Sequence, residues 1–176
     1  MPKIIIFIFT VLFTSTSFAA WEQPELGYQL SKIAKPVPAP NFRLEDMDEN
    51  KYDFSEYRGQ VVLLNFWASW CPPCKREMPS MERVYQNHQG DDFTVLAINQ
   101  MENDDLIFNF TGELDVQPTF DILLDTDSKV SLAYGVRGLP TTYLIDKKGH
   151  IRYRAVGGRE FDHPEVEKII EALMKE

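Results

Sequence analysis

VVLLNFWASWCPPCK, residues 61–75, joins an apolar run to the only two cysteines of the chain, Cys71 and Cys74. The apolar run predicts a buried strand, and the residues from Lys75 onward predict a helix. The cysteines therefore lie at a helix N-terminus, where free N–H groups and the helix dipole favour negative charge. Such a position lowers the pKa of a cysteine from about 8.5 to roughly 3.5–7.5, and the thiolate is the nucleophile of disulfide exchange. The pattern favours a dithiol–disulfide redox enzyme.

The residues alone leave two other uses of the cysteine pair open. A structural disulfide is one, although a two-residue spacer at a helix start constrains the unfolded chain little. A zinc site is the other, but His88, His150 and His163 offer no paired spacing that would complete a set of ligands. We expect no metal and no organic cofactor.

Residues 1–19 are predicted to form a secretory signal peptide. Lys3 gives a positive start, an apolar stretch follows, and small residues precede a cleavage site after Ala19. An uncleaved membrane anchor is the alternative, because residues 4–21 are just long enough to span a bilayer. Both interpretations predict a periplasmic or otherwise extracytoplasmic protein.

Charge and length limit the partners and the number of domains. Removal of residues 1–19, which include one lysine, leaves 157 residues with a net charge of −10, enough for one domain with a full core. A nucleic-acid binder would carry the opposite sign, so none is expected as a partner. Residues 20–40 are predicted to form an extended, irregular lead-in because of Pro36, Pro38 and Pro40. Residues 41–176 are predicted to form the folded domain, which we expect to be a monomer.

Apolar periodicity and turn residues predict the elements of this domain. They are a hairpin (41–45 and 51–54), a helix (72–88), a strand (93–98), a helix (103–113), a strand (119–124), a helix (128–134), two strands (141–145 and 150–156) and a last helix (164–174). Asp162 and Glu165 are placed as a capping box for the last helix. A βαβ half followed by a ββα half, with an extra helix and strand between them, predicts an α/β single domain.

In these motifs the chain resembles the thioredoxin-fold thiol–disulfide oxidoreductases, and in particular their exported TlpA/ResA-like group. The matching residues are 61–75, YGVRGLPTTYLID at 134–146, and the hairpin region 42–59. With the second strand and the last helix, the resemblance covers roughly residues 40–174. It implies a thioredoxin-like fold (βαβ plus ββα) with an N-terminal hairpin and a central helix–strand insertion.

The resemblance also assigns roles around the cysteines. It implies that Cys71 is the exposed attacking thiol and that Cys74 is the buried thiol that resolves the mixed disulfide. Pro72 and Pro73 supply no N–H, so they stiffen the turn and are expected to tune the redox potential. Trp70, beside the nucleophile, offers an apolar ledge on which a client protein could dock.

Further site residues are implied away from the cysteine motif. Pro140 matches the cis-proline that faces the thiols, and it would expose the backbone of Leu139 for strand-like pairing with a client. Glu77 matches a glutamate of the ResA-like branch, a partly buried carboxylate that moves protons for Cys74 and raises its pKa. The alternative for Glu77 is an acid that complements the helix dipole. Asn65 stands where thioredoxins proper place a buried aspartate, which makes Glu77 the better proton acceptor.

The implied activity is the reduction of disulfides in exported client proteins, apocytochromes c among them. The resemblance implies re-reduction by a membrane thiol-electron donor of the CcdA/DsbD type. Members devoted to apocytochrome c often carry glutamate after the cis-proline, where this chain has Thr141, so other clients are equally open. Two alternatives are a thioredoxin-fold copper chaperone, which typically spaces its cysteines by three, and a non-catalytic interaction module.

Overall fold

The structure is a computed structural model that describes residues 25–176. The predicted signal peptide or anchor, residues 1–19, lies outside the described residues. Within residues 25–176, no helix has both the length and the apolar character needed to cross a membrane.

An eight-stranded mixed sheet forms the centre of the molecule, in the order β1-β8-β7-β4-β5-β6-β2-β3. The strands are β1 (Ser31–Pro38), β2 (Arg43–Glu45), β3 (Lys51–Asp53), β4 (Val61–Trp67), β5 (Phe93–Gln100), β6 (Asp121–Asp125), β7 (Thr141–Ile145) and β8 (His150–Val156). The helices are α1 (Pro72–Asn87), α2 (Asp104–Gly112), α3 (Lys129–Ala133) and α4 (Pro164–Met174), with a 3₁₀ turn at Phe54–Tyr57.

This topology confirms the predicted thioredoxin-like α/β fold. Strands β4 and β5 pair in parallel and are connected by α1, which forms the βαβ half. Strands β7 and β8 form an antiparallel pair followed by α4, which forms the ββα half. The hairpin β2–β3 precedes them, and α2 with β6 forms the central insertion.

Strand β4 lies in the interior because all seven of its residues are buried. Alternate side chains point to opposite faces of a strand. Val61, Leu63 and Trp67 therefore belong to one core cluster, together with side chains of α1 and α4. Val62 and Phe66 belong to a second cluster on the other face. Cores on both faces fix the end of β4, where the cysteine motif begins.

The lead-in differs from its prediction as an irregular segment. Residues 31–38 form β1, which pairs antiparallel with β8. The register of this pairing shifts between Lys32 and Val37. Pro36 and Pro38 are tolerated because β1 is an edge strand, where a missing N–H on the outer side removes no ladder bond.

The predicted capping box of α4 is wrong. The N-cap residue is His163, whose Nδ1 accepts a hydrogen bond from the backbone N–H of Glu165 at 3.2 Å. The carboxylate of Asp162 instead accepts a hydrogen bond from Arg83 Nε of α1 at 2.5 Å. This ion pair between α1 and the turn before α4 competes for the side chain that the local pattern assigns to the cap.

Candidate active site

The two cysteines form a disulfide at the N-terminus of α1, with a Cα–Cα distance of 5.3 Å. Cys71 is the N-cap residue and Cys74 lies in the first turn, where its N–H donates to the carbonyl of Cys71 at 3.0 Å. Pro72 and Pro73 take the first two helical positions. The N–H that proline lacks has no partner within a helix at these positions, so both prolines fit without cost.

The prediction that Cys71 is exposed does not hold in this disulfide-bonded state. Cys71 is 3% exposed and Cys74 is fully buried. Their side chains belong to the same core cluster as Trp67 and Met78 because each sulfur is bonded to the other and packs inward. Trp70 is 70% exposed, so it is the prominent apolar side chain beside the buried pair.

Glu77 lies one turn beyond Cys74 and is fully buried, rather than partly buried as predicted. One carboxylate oxygen accepts from Asn65 Nδ2 at 2.7 Å, and the other accepts from the backbone N–H of Arg159 at 3.0 Å. Burial raises the pKa of Glu77 to about 8, against the opposing effects of these hydrogen bonds and of the Arg159 charge. The carboxyl group is thus directed at β4 and at the segment after β8, and its protonated form predominates at neutral pH.

Asn65 is a hydrogen-bond donor at this site. Its Nδ2 donates to Glu77 and also to Thr142 Oγ1 of β7, at 2.9 Å. Its Oδ1 is buried without a partner among residues 25–176. Asn65 therefore links the central strand β4 to Glu77 and to β7.

The peptide bond between Leu139 and Pro140 is cis, as predicted. Thr141 pairs with Phe66 in the register of β7 and β4, which places Pro140 beside the end of β4 that leads to the cysteines. The carbonyl of Pro140 accepts from the N–H of Gly157 at 2.9 Å. Leu139 is half-buried against the cluster that contains both cysteines.

The segment between β8 and α4 closes over the start of α1. A Cβ atom at Gly158 would lie 2.9 Å from Leu26 Cδ2 and 3.1 Å from the carbonyl oxygen of Pro73. The guanidinium of Arg159 donates to the carbonyls of Gln29, Gly157 and Gly158 at 2.9–3.1 Å. The lead-in therefore holds this segment against the active-site helix.

Gly158→Ala is expected to destabilise the protein by roughly 1–3 kcal/mol, because the Pro73 backbone must move to admit the methyl group. Chemical denaturation of the oxidised protein measures this. Gly112→Ala is the matched control, since no atom lies within 4 Å of its Cβ position and alanine favours its helix. Equal stability of the two variants would contradict the close approach at Gly158.

Sequence reasoning missed Glu102, which follows β5. The acidic stretch that contains it is typical of a solvated loop, but Glu102 is buried. Its carboxylate accepts from the backbone N–H of Ser69 at 2.7 Å, from Ser69 Oγ at 2.5 Å and from Asn99 Nδ2 at 2.7 Å. No local signal indicates this contact, because it joins residues 33 positions apart.

A disulfide that begins the helix after the central strand, with a cis-proline directly before the neighbouring strand, defines a thioredoxin-fold dithiol–disulfide protein. The model of the AhpC/TSA family matches residues 37–154. The thiol-disulfide oxidoreductase ResA of Geobacillus thermodenitrificans is 41% identical over 120 residues, which are 68% of this chain and 68% of that protein. The ResA of Geobacillus kaustophilus is 38% identical over 125 residues, 71% of each chain.

A solved structure extends the likeness to three dimensions. The thiol:disulfide interchange protein DsbE from Chlorobium tepidum superposes with a TM-score of 0.72 and is 31% identical. The match covers 83% of this chain and 99% of that one. The chain belongs to the AhpC/TSA family and, within the thioredoxin fold, to the ResA-like thiol–disulfide oxidoreductases. It is an enzyme of thiol–disulfide exchange.

Proposed function

We propose that the protein is exported and reduces disulfides in exported client proteins through the dithiol form of Cys71 and Cys74. The disulfide at the N-terminus of α1 is the observation that carries this proposal. Cys71 is the N-cap residue, so its thiolate lies where the helix dipole stabilises negative charge. Cys74 lies one turn inside the helix, within bonding distance of its partner.

The reaction takes two exchange steps. The Cys71 thiolate attacks one sulfur of a client disulfide, that bond breaks, and a mixed disulfide forms while the second client sulfur leaves as a thiolate. The Cys74 thiolate then attacks the Cys71 sulfur and releases the client as a dithiol. Two electrons pass to the client, and the enzyme is left with the Cys71–Cys74 disulfide. A membrane thiol-electron donor of the CcdA/DsbD type returns it to the dithiol form.

Glu77 moves the proton of Cys74 in this scheme. Cys74 must lose its proton before it attacks, and a buried thiol has no water to accept it. Glu77, three residues further along α1, has a pKa of about 8, close to that of an ordinary thiol. Because the two pKa values are close, the ionised form of Glu77 accepts the proton of Cys74 at little cost in free energy.

Clients dock on the rim of the site. Trp70 supplies an exposed apolar ledge beside Cys71. The cis peptide at Leu139–Pro140 lies directly before the neighbouring strand β7, where the backbone of Leu139 pairs with an extended client segment. Pro72 and Pro73 tune the redox potential because they limit the N–H groups available to the thiolates.

Two features of the sequence bear on export and on the class of client. Residues 1–19 carry the pattern of a signal peptide, so the protein, acting as a monomer, meets its clients outside the cytoplasm. Proteins with paired cysteines are the clients, and apocytochromes c are one such class. Thr141 after the cis-proline leaves a broader set of clients open.

Trapping tests this proposal. Cys74→Ser, expressed in the native compartment, is expected to accumulate mixed disulfides on Cys71 that dissolve on treatment with dithiothreitol. Mass spectrometry of the adducts identifies the clients. The control is the double variant Cys71→Ser, Cys74→Ser, which should trap none. Absence of adducts from Cys74→Ser, or equal adducts from the double variant, would overturn the proposed function.

A further inference from the structure

Glu102 is a buried carboxylate that the two exchange steps do not use. It is 7% exposed and accepts three hydrogen bonds, from the N–H and the hydroxyl of Ser69 and from the side-chain amide of Asn99. A buried carboxylate is costly unless it is fully hydrogen-bonded. Two of the three donors belong to Ser69, so the carboxylate is hydrogen-bonded to both the backbone and the side chain of this residue.

Ser69 lies in the turn that delivers Cys71 to the helix. The N–H of Cys71 donates to the carbonyl of Ala68 at 3.2 Å, which closes a four-residue turn. Ser69 and Trp70 are the two central residues of this turn. The N–H of Ser69 points out of the turn to Glu102. Glu102 therefore fixes the turn that sets both the direction of Trp70 and the place of Cys71 at the N-cap of α1.

The backbone at the end of β5 brings Glu102 to this turn. Trp67 pairs with Asn99 at the ends of the parallel strands β4 and β5, so the segments that follow lie side by side. Met101 has a φ of 61°, the left-handed conformation that side chains other than glycine rarely adopt. Its N–H donates to the carbonyl of Asp125 at 3.2 Å, which holds this reversal against β6. The reversal turns Glu102 inward.

We infer that Glu102 is a positioning residue for disulfide exchange, which acts through the Ser69–Cys71 turn on the attacking thiol and on the Trp70 ledge. This inference rests on the proposed function, because it takes Cys71 as the attacking thiol. A displaced turn moves the nucleophile and the docking surface together. Displacements of about 1 Å in a reacting group can cost a hundredfold in rate.

The chain contains a matched carboxylate away from the cysteines. Glu82 in α1 accepts from the backbone N–H of Thr119 at 2.8 Å, from Thr119 Oγ1 at 2.7 Å and from Gln86 Nε2 at 2.6 Å. Glu82 thus has the same three kinds of donor as Glu102 and is also buried. It holds the segment before β6 and not the cysteine turn, so it separates loss of stability from loss of positioning.

The test measures steady-state reduction of insulin disulfides and thermal unfolding for the full chain and its variants. We expect Glu102→Ala to lower kcat/KM about tenfold. Glu102→Gln should stay within about twofold, because one amide oxygen can accept the two N–H donors while its NH₂ donates to Ser69 Oγ. Glu82→Ala should lose stability to a similar extent and keep kcat/KM within about twofold, since its contacts do not reach the turn.

Three results would overturn the inference: unchanged kcat/KM in Glu102→Ala, equal losses in Glu102→Gln and Glu102→Ala, or equal losses in Glu82→Ala and Glu102→Ala. If Glu102→Ala does not fold, Ser69→Ala serves instead, because it removes the hydroxyl donor and leaves the backbone contact. It should lower kcat/KM about threefold, and an unchanged value would contradict the inference. Activity retained in Cys71→Ser would refute the proposed function itself, so the two failures are distinguishable.

Discussion

Cys71→Ser is expected to abolish disulfide reduction, with kcat/KM for insulin disulfides lowered by at least about 10³-fold. A serine hydroxyl at the N-cap of α1 is not ionised at neutral pH and forms no disulfide, so neither exchange step can occur. The fold should persist. The disulfide closes a loop with a sequence separation of only 3, and the loss of such a loop costs roughly 2 kcal/mol.

The matched control is Cys74→Ser, which loses the same disulfide and should have the same stability. Cys71 is retained there, so iodoacetamide should alkylate it faster at neutral pH than it alkylates free cysteine, and one round of attack on insulin should still occur. Turnover in Cys71→Ser would show that another group carries the reaction. A protein that keeps its cellular role with Cys71→Ser would be an interaction module instead.

Local patterns predicted the elements whose ends are marked by local residues. The predicted strands at 141–145 and 150–156 match β7 and β8 to the residue, because alternating apolar residues flank a turn with Gly149. Strand β1 was missed, since Pro36 and Pro38 are typical of loops. Only pairing with the distant strand β8 makes an edge strand of this segment. The capping box of α4 failed for a similar reason, because Arg83 is distant in sequence.

The residues of the candidate site also fall into those that a short motif predicts and those that only distant contacts position. The cysteine pair and the cis-proline were predictable because each is marked by a short motif. The full burial of Glu77 was not, since it depends on the segment at Arg159, 82 positions away. Glu102 was missed because its acidic neighbours resemble a solvated loop, and only the parallel register of β4 and β5 brings it to Ser69.

The stability of the oxidised protein is expected to fall as pH rises from about 4.5 to 8, because of Glu77. Its pKa is raised from 4.5 to about 8 by burial, so the folded state keeps a proton that the unfolded state releases in this range. Unfolding then releases a proton, and higher pH favours it. The contribution of Glu77 is complete below pH 4.5 and is lost by about pH 8, a total of roughly 3–5 kcal/mol.

Glu77→Gln removes this titration while it keeps the shape of the side chain. The free energy of unfolding of the variant, relative to the unaltered protein, should rise by up to about 1.4 kcal/mol per pH unit between these limits. This difference in free energy should level off above pH 8. Urea unfolding at a series of pH values measures the difference, and the intact disulfide removes any titration of the cysteines.

Glu165→Gln is the control, because Glu165 is a glutamate that is exposed in the folded protein. Lys168 lowers the pKa of Glu165 below its usual value, so this side chain is ionised in both states above pH 5. The free energy of unfolding of Glu165→Gln should change with pH in parallel with that of the unaltered protein over the same range. If the Glu77→Gln curve were parallel as well, Glu77 would be ionised in the folded protein at neutral pH. Its pKa would then lie well below that of the Cys74 thiol, so transfer of the thiol proton to Glu77 would be uphill. The proton-transfer role would fail while the cysteine chemistry stood.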